Sequence, residues 1–196
     1  MREVELKAVL DSWDSRRARL LKAGASRAFA GRLEDRRYDV DDRSLAARDI
    51  VLRLRIYRNA DGARAELEFK GPTGYERGYK VREEVGSTVS DPEAIALVLA
   101  GLGYIVTRAI DREIEQFEVD ETIVRFERYP RMDDLVEVEG EPEALERAIA
   151  TLGIPRTAFT AERLTDFAAR YEARTGTRAA LSNAELAGNA PAVREL

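Results

Sequence analysis

The sequence predicts an α+β protein built on an eight-stranded antiparallel closed β-barrel, a tunnel, with helices packed on the outside. Three observations predict it: eight segments alternate charged and apolar residues at period two, helical segments fall between them, and 35% of the 196 residues are charged. Eight strands suffice to close a barrel just wide enough for side chains or one small ligand.

The elements follow in order. Residues 2–10, REVELKAVL, read as a strand with two different faces. The stretch DSWDSRRARLLKAG reads as a helix capped by Asp11 or Ser12 and stopped at Gly24. Alternation then predicts strands at 34–41, 49–59, 63–70 and 78–86, with Asn59-Ala60-Asp61-Gly62 as the turn of a hairpin. A second helix starts at Ser90-Asp91-Pro92 and ends near Gly101 and Gly103, because Pro suits a first helical turn and Gly a last one. Strands resume at 109–119, 121–129 and 133–140, a third helix runs from Glu141-Pro142 to Gly153, and a fourth covers 158–175. The wording DPEAIALVLAGLGY returns as EPEALERAIATLGI, which suggests two related strand-to-helix halves facing each other. One domain over 1–175 is expected, with 176–196 as a frayed or lightly docked tail.

Composition excludes several chemistries. The chain has no cysteine and no histidine, so disulfides, thiolate sites, imidazole ligands and the usual general base are absent. Catalysis would run on carboxylates, Lys, Arg, hydroxyls and metal-bound water. Its 32 Lys and Arg against 37 Asp and Glu leave a net charge of −5, which gives no long-range attraction to nucleic acid or anionic lipid. With no stretch of roughly 18 apolar residues and no leader pattern at Met1-Arg2-Glu3, a cytoplasmic location is expected, with no membrane partner and no nucleic acid.

Strand alternation assigns side chains to faces, since residues i and i+2 point the same way. Glu3, Glu5 and Lys7 share one face, as do Arg53 and Arg55, Glu68 and Lys70, Arg82 and Glu84, Arg125 and Glu127, and Glu137 and Glu139. The opposite faces carry Val4/Leu6, Leu52/Leu54, Val124/Phe126 and Val136/Val138. Like charges two apart on one face sit roughly 7 Å from each other and repel unless something of opposite sign lies between. Paired carboxylates without His or Cys suit a hard cation such as Mg²⁺. Converging Arg and Lys suit a chain of phosphates. A solvated outer face is the alternative for any one strand taken alone.

Glu3-Val4-Glu5-Leu6-Lys7 resembles the ExExK signature of the CYTH superfamily, the triphosphate tunnel metalloenzymes that include class IV adenylyl cyclases and thiamine triphosphatases. The resemblance continues in order through Tyr38-Asp39, Leu45-Ala46-Ala47, Leu52-Arg53-Leu54-Arg55, Glu68-Phe69-Lys70-Gly71-Pro72, Arg82-Glu83-Glu84 and Leu135-Val136-Glu137-Val138-Glu139. It departs at Gly86, where the family often has an acid, and at Asp133, where it often has Gly. The resemblance implies an eight-stranded tunnel in which Lys7, Arg53, Arg55, Lys70, Arg82, Arg112 and Arg125 bind phosphate. It implies Mg²⁺ or Mn²⁺ held by Glu3, Glu5, Glu137 and Glu139 with Glu127 close by, and a catalytic set of Lys7, Arg53, Arg55 and Glu84. The expected partner is a triphosphate-containing small molecule, and a homodimer is compatible with the sequence. The expected reaction is metal-dependent removal of the terminal phosphate. A class IV adenylate cyclase is the alternative, and a non-catalytic polyphosphate or nucleotide sensor is a second, against which the retained glutamate pairs argue.

Overall fold

The computed structural model describes residues 2–77 and 79–188, with residues 2, 3, 79 and 80 described by their backbone alone. The strands are β1 (Arg2–Val9), β2 (Ser26–Asp39), β3 (Val51–Asn59), β4 (Gly62–Lys70), β5 (Gly74–Glu76), β6 (Tyr79–Val89), β7 (Ile105–Val119), β8 (Thr122–Arg128) and β9 (Leu135–Glu139). The helices are α1 (Trp13–Lys22), α2 (Ser44–Ala47), α3 (Pro92–Gly101), α4 (Pro142–Leu152), α5 (Leu164–Thr175) and α6 (Asn183–Leu186).

The strands pair antiparallel in the order β1-β9-β8-β7-β2-β3-β4-β6, and β1 pairs with β6 to close the barrel. The short β5 continues β4 along the same edge of β6, after an interruption at Gly71-Pro72-Thr73 where Pro72 offers no backbone donor. Eight positions therefore surround the axis, as the sequence predicts. Strands β3, β4 and β6 form one meander followed by α3, and β7, β8 and β9 form a second followed by α4. Strand β1 joins the ends of the two meanders and β2 joins their starts, so the repeated wording of α3 and α4 marks equivalent places in the two halves.

Several sequence expectations shift at their boundaries: β7 starts at Ile105 rather than 109, β6 runs to Val89 rather than 86, and two further shifts have a visible cause. Strand β2 starts at Ser26 rather than 34, because a register shift between Arg27 and Phe29 breaks the two-residue period there. Helix α5, expected over 158–175, begins at Leu164 because Thr160 pairs with Lys7 through backbone hydrogen bonds of 2.8 Å in both directions, which draws that segment onto β1. The helix starts agree with their caps: Ser12 Oγ accepts from Ser15 N and Asp91 Oδ1 from Ala94 N.

Apolar residues of the strands face outward, where helices cover them. Leu6, Ala8, Val124, Phe126, Val136 and Val138 pack with Leu20 of α1 and Leu145, Ile149 and Leu152 of α4. Each such buried Leu or Ile contributes about 1.5–3 kcal/mol. Helix α3 covers a smaller cluster through Leu99, against Leu54, Ile56 and Ala65. Inside the barrel, Leu33, Tyr57 and Ile114 form an apolar layer beside the charged one. At the opposite end Phe167 of α5 and Leu181 pack on Ile110, Tyr129 and Leu135, and Asp111 N donates to Leu181 O at 2.9 Å. Among the described residues, no helix is long and apolar enough to cross a membrane.

Candidate functional site

With apolar residues turned out, the alternating charged residues turn in. They line a cavity of about 250 Å³, open at the end of the barrel where α2, residues 49–51, Thr73 and the start of α5 meet. All seven basic residues singled out from the sequence, Lys7, Arg53, Arg55, Lys70, Arg82, Arg112 and Arg125, line it, and they come from six different strands. Of the acids, Glu5, Glu127 and Glu137 line it and Glu84 and Glu139 do not. The Glu3 side chain lies outside the described residues.

One wall is formed by β1, β9 and β8. The register sets Glu5 opposite Glu139 and Lys7 opposite Glu137. Lys7 Nζ lies 2.9 Å from Glu5 Oε1 and 2.6 Å from Glu137 Oε2, while Glu137 Oε1 accepts from Arg125 Nη1 at 2.7 Å. Burial alone would push the Glu137 carboxyl up, but Lys7 and Arg125 beside it hold it well below the usual carboxylate range. Burial would likewise lower the Lys7 ammonium, and Glu137 and Glu5 reverse that and raise it. Both groups therefore stay charged at neutral pH.

The other wall, β3, β2 and β7, is basic and centres on Asp35. Its carboxylate accepts from Arg55 at 2.8 and 3.2 Å and from Arg112 at 2.9 Å, and Arg53 Nη1 stands 3.6 Å away. Burial would raise Asp35, yet the guanidiniums of Arg55, Arg53 and Arg112 hold it well below its ordinary value. Arg53 Nε donates to Glu68 at 2.7 Å. Arg112 also donates to Glu127 at 2.7 Å, and Glu127 accepts from the Tyr129 hydroxyl at 2.6 Å. Burial first, and then Glu127, push the Tyr129 hydroxyl well above its usual range, so it remains a donor.

At the mouth, Lys70 pairs with Glu84. Arg82 donates to Gly71 O at 2.7 Å and Asp49 O at 2.6 Å. Asp49 Oδ2 accepts from Thr73 N at 2.6 Å, and Arg163 reaches Asp49 Oδ1 at 3.5 Å. Asp35, Arg37, Asp49, Arg108, Tyr129 and Arg163 are lining residues that the sequence reading did not single out. Asp35 and Arg37 fall on one face of the segment EDRRYD, but Glu34 and Arg36 make the other face charged as well, so alternation alone does not say which face turns in.

Among the described residues, no three acidic side chains stand close enough to form a metal cage on their own. Mg²⁺ requires less, since it commonly takes one or two carboxylates, several waters and substrate oxygens. Glu5 and Glu137 place carboxylate oxygens around a space that already favours a cation, the Lys7 ammonium. That all-oxygen donor set fits Mg²⁺ or Mn²⁺.

The fold recurs in solved structures. A Vibrio parahaemolyticus protein described as a candidate adenylate cyclase matches with a TM-score of 0.71 at 19% identity, over 84% of this chain and 96% of its own. A Pyrococcus horikoshii protein matches with a TM-score of 0.69 at 22% identity, over 83% and 96%. A candidate adenylyl cyclase from Hippeastrum, described as having a dominant triphosphatase activity, matches with a TM-score of 0.62 at 18% identity, over 92% and 98%. No curated protein matches the sequence. The CYTH domain model matches residues 1–151, and on that match, with the closed barrel and its inward charges, the chain belongs to the CYTH domain family.

Proposed function

We propose that this chain is a divalent-metal-dependent triphosphatase that removes the terminal phosphate of a triphosphate held in the barrel. The convergence of seven Lys and Arg side chains from six strands on one cavity carries the reading. Family membership supports it, because CYTH proteins process triphosphates and generally depend on divalent metal.

Arg53, Arg55, Arg112 and Arg125 would bind phosphate oxygens in pairs, and Lys7 and Lys70 as point charges. Asp35 fixes Arg55 and Arg112 in place before substrate arrives, so the clamp needs little reorganisation. Glu5 and Glu137 would hold the metal, which supplies neutralisation of charge developing on the phosphate oxygens. Water attacks the terminal phosphorus in line, and the bond from that phosphorus to the bridging oxygen breaks. A diphosphate and orthophosphate leave, and the proton from water passes to solvent. With Glu137 held ionised by its two cationic neighbours, it serves as a charge partner rather than a proton carrier.

The Vibrio parahaemolyticus neighbour, described as a candidate adenylate cyclase, favours a second reading, attack by a ribose 3′ hydroxyl on the α-phosphorus with release of pyrophosphate. Incubation with Mg²⁺ and tripolyphosphate, ATP or thiamine triphosphate separates the two. Orthophosphate release is expected, pyrophosphate with cyclic AMP would establish the cyclase, and no turnover of any of the three would end both.

A further inference from the structure

Strand β6 is longer than the neighbour that closes the barrel. It pairs with β1 over Lys80–Glu83, opposite Arg2–Glu5, and then continues beside β4 alone as far as Val89. Glu83 O accepts from Gly71 N, just past the end of β4, so the backbone of Glu83 faces β4. Successive residues of an antiparallel strand present their N–H and C=O to alternate sides, so Val85, Ser87 and Val89 serve β4 while Gly86 and Thr88 face the outer edge. Val85, Gly86, Ser87 and Thr88 are exposed, and among the described residues no hydrogen bond reaches the edge groups of Gly86 or Thr88. An open edge is a template for another strand, and native sheets blunt it with charge, Pro or a bulge. Residues 85–89, VGSTV, carry neither charge nor Pro and pair with β4 without a register shift. On the outer face the row Leu52, Phe69, Val85 runs in register to this edge and stops there, with Phe69 39% and Val85 60% exposed.

We propose that this edge is the two-fold interface of a homodimer, in which β6 pairs antiparallel with β6 of a second copy about Ser87. That register sets Gly86 opposite Thr88 of the second copy. Both positions face the edge, so each of these symmetric pairs exchanges both of its backbone hydrogen bonds. It also sets Val85 opposite Val89 of the second copy on the outer face, which extends the apolar row across the interface. Charge selects the occupant. The paired segments are neutral, and the flanking acids are already engaged, Glu84 with Lys70 and Asp91 with Ala94 N at the start of α3. A charged peptide finds no counter-charge along this edge, whereas a second copy offers the same neutral run in a self-complementary register.

Sedimentation of the full chain tests the interface, and wild type is expected as a dimer in the micromolar range. Ser87→Lys and Ser87→Asp should each weaken that dimer at least about tenfold, because like charges then meet on the two-fold axis, and an equal mixture of the two should restore it. Thr88→Pro removes an edge-facing N–H that β4 does not use, so this variant should stay folded by circular dichroism and fail to dimerise. The chain has no cysteine, so Ser87→Cys introduces a single thiol. Ser87 meets its own copy in a pair without hydrogen bonds, where Cα atoms stand about 4.5 Å apart, within reach of a disulfide. Mild oxidation should therefore cross-link Ser87→Cys to twice the 22.0 kDa of one chain, and should leave Asp41→Cys, on an exposed turn, as single chains. Wild type that remains a single chain throughout the micromolar range, a dimer indifferent to both charged variants, or charged variants that fail to pair on mixing would each overturn the proposal. Should Thr88→Pro not fold, the charged pair at Ser87 decides the question alone.

Discussion

The two walls of the cavity solve the same electrostatic problem differently. On the β1–β9–β8 wall, cations sit among acids: Lys7 lies between Glu5 and Glu137, and Glu137 also holds Arg125. On the β3–β2–β7 wall a single acid, Asp35, holds Arg55 and Arg112 with Arg53 nearby. Under the proposed reading, the first wall would hold the metal and the second the phosphates. Charge that would be costly to bury alone is tolerated on both because each group has partners of opposite sign.

The largest effect should come from removing the one acid of the basic wall. Asp35→Asn leaves Arg53, Arg55 and Arg112 together without their shared partner, and breaking a buried ion network in this way costs about 3–5 kcal/mol. A large drop in melting temperature is expected, partly restored by tripolyphosphate, because a ligand that binds only the folded state stabilises it. The wild-type pH dependence follows from the same group. The folded value of Asp35 lies well below its unfolded one, so its contribution is present above the ordinary carboxylate range and lost as pH falls through the lower folded value. Melting curves of Asp35→Asn should therefore fall less steeply in acid than those of wild type. A variant as stable as wild type, with an unchanged acid profile, would mean that the basic wall does not depend on Asp35.

Next in size are the arginines that Asp35 orients. Arg53→Ala or Arg55→Ala should weaken triphosphate binding by about 1.5–3 kcal/mol through loss of a charge-assisted contact. Either change removes a partner from Asp35 or Glu68 while easing repulsion between the arginines, and each acid keeps another basic neighbour, so the fold should survive at some cost in melting temperature. Unchanged kinetics in both variants would count against every residue placed in the cavity by the same alternation.

How legible each wall was in the sequence differs for a physical reason. Strands β1, β3, β8 and β9 alternate cleanly, so Glu5, Lys7, Arg53, Arg55, Arg125 and Glu137 could be assigned to one face by period alone. The segment Glu34-Asp35-Arg36-Arg37 is charged on both faces, so the period shows no inside and does not point to Asp35 or Arg37. On β7 an apolar Ile110 points inward between Arg108 and Arg112, which breaks the alternation where it was needed. Arg163 comes from a segment outside the strands and carries no period, and Asp49, at the head of the strand expected over 49–59, is followed by apolar Ile50, Val51 and Leu52 before the alternation begins. The closed barrel was legible because its outward apolar residues repeat in nearly every strand.

On the acidic wall, smaller effects separate the glutamates. Glu5→Gln should raise the Mg²⁺ concentration needed for half-maximal turnover, because it removes charge from an oxygen donor set. Glu139→Gln is expected to do much less. Glu139 lies opposite Glu5 in register but does not line the cavity, and a like-charged cross-strand pair costs only about 0.2–1 kcal/mol. Replacing it should therefore leave melting within about 1 kcal/mol of wild type and the Mg²⁺ requirement near its original value. Activity titrated with Mg²⁺ in the two variants reads the difference directly. If Glu139→Gln shifts the requirement as far as Glu5→Gln, the metal lies farther along β1 and β9 than Lys7, and Glu137 is a partner of Lys7 and Arg125 rather than a metal ligand. If only Glu5→Gln shifts it, the cation sits at the cavity wall where Lys7 now stands, and the contrast between a metal-holding wall and a phosphate-binding wall holds.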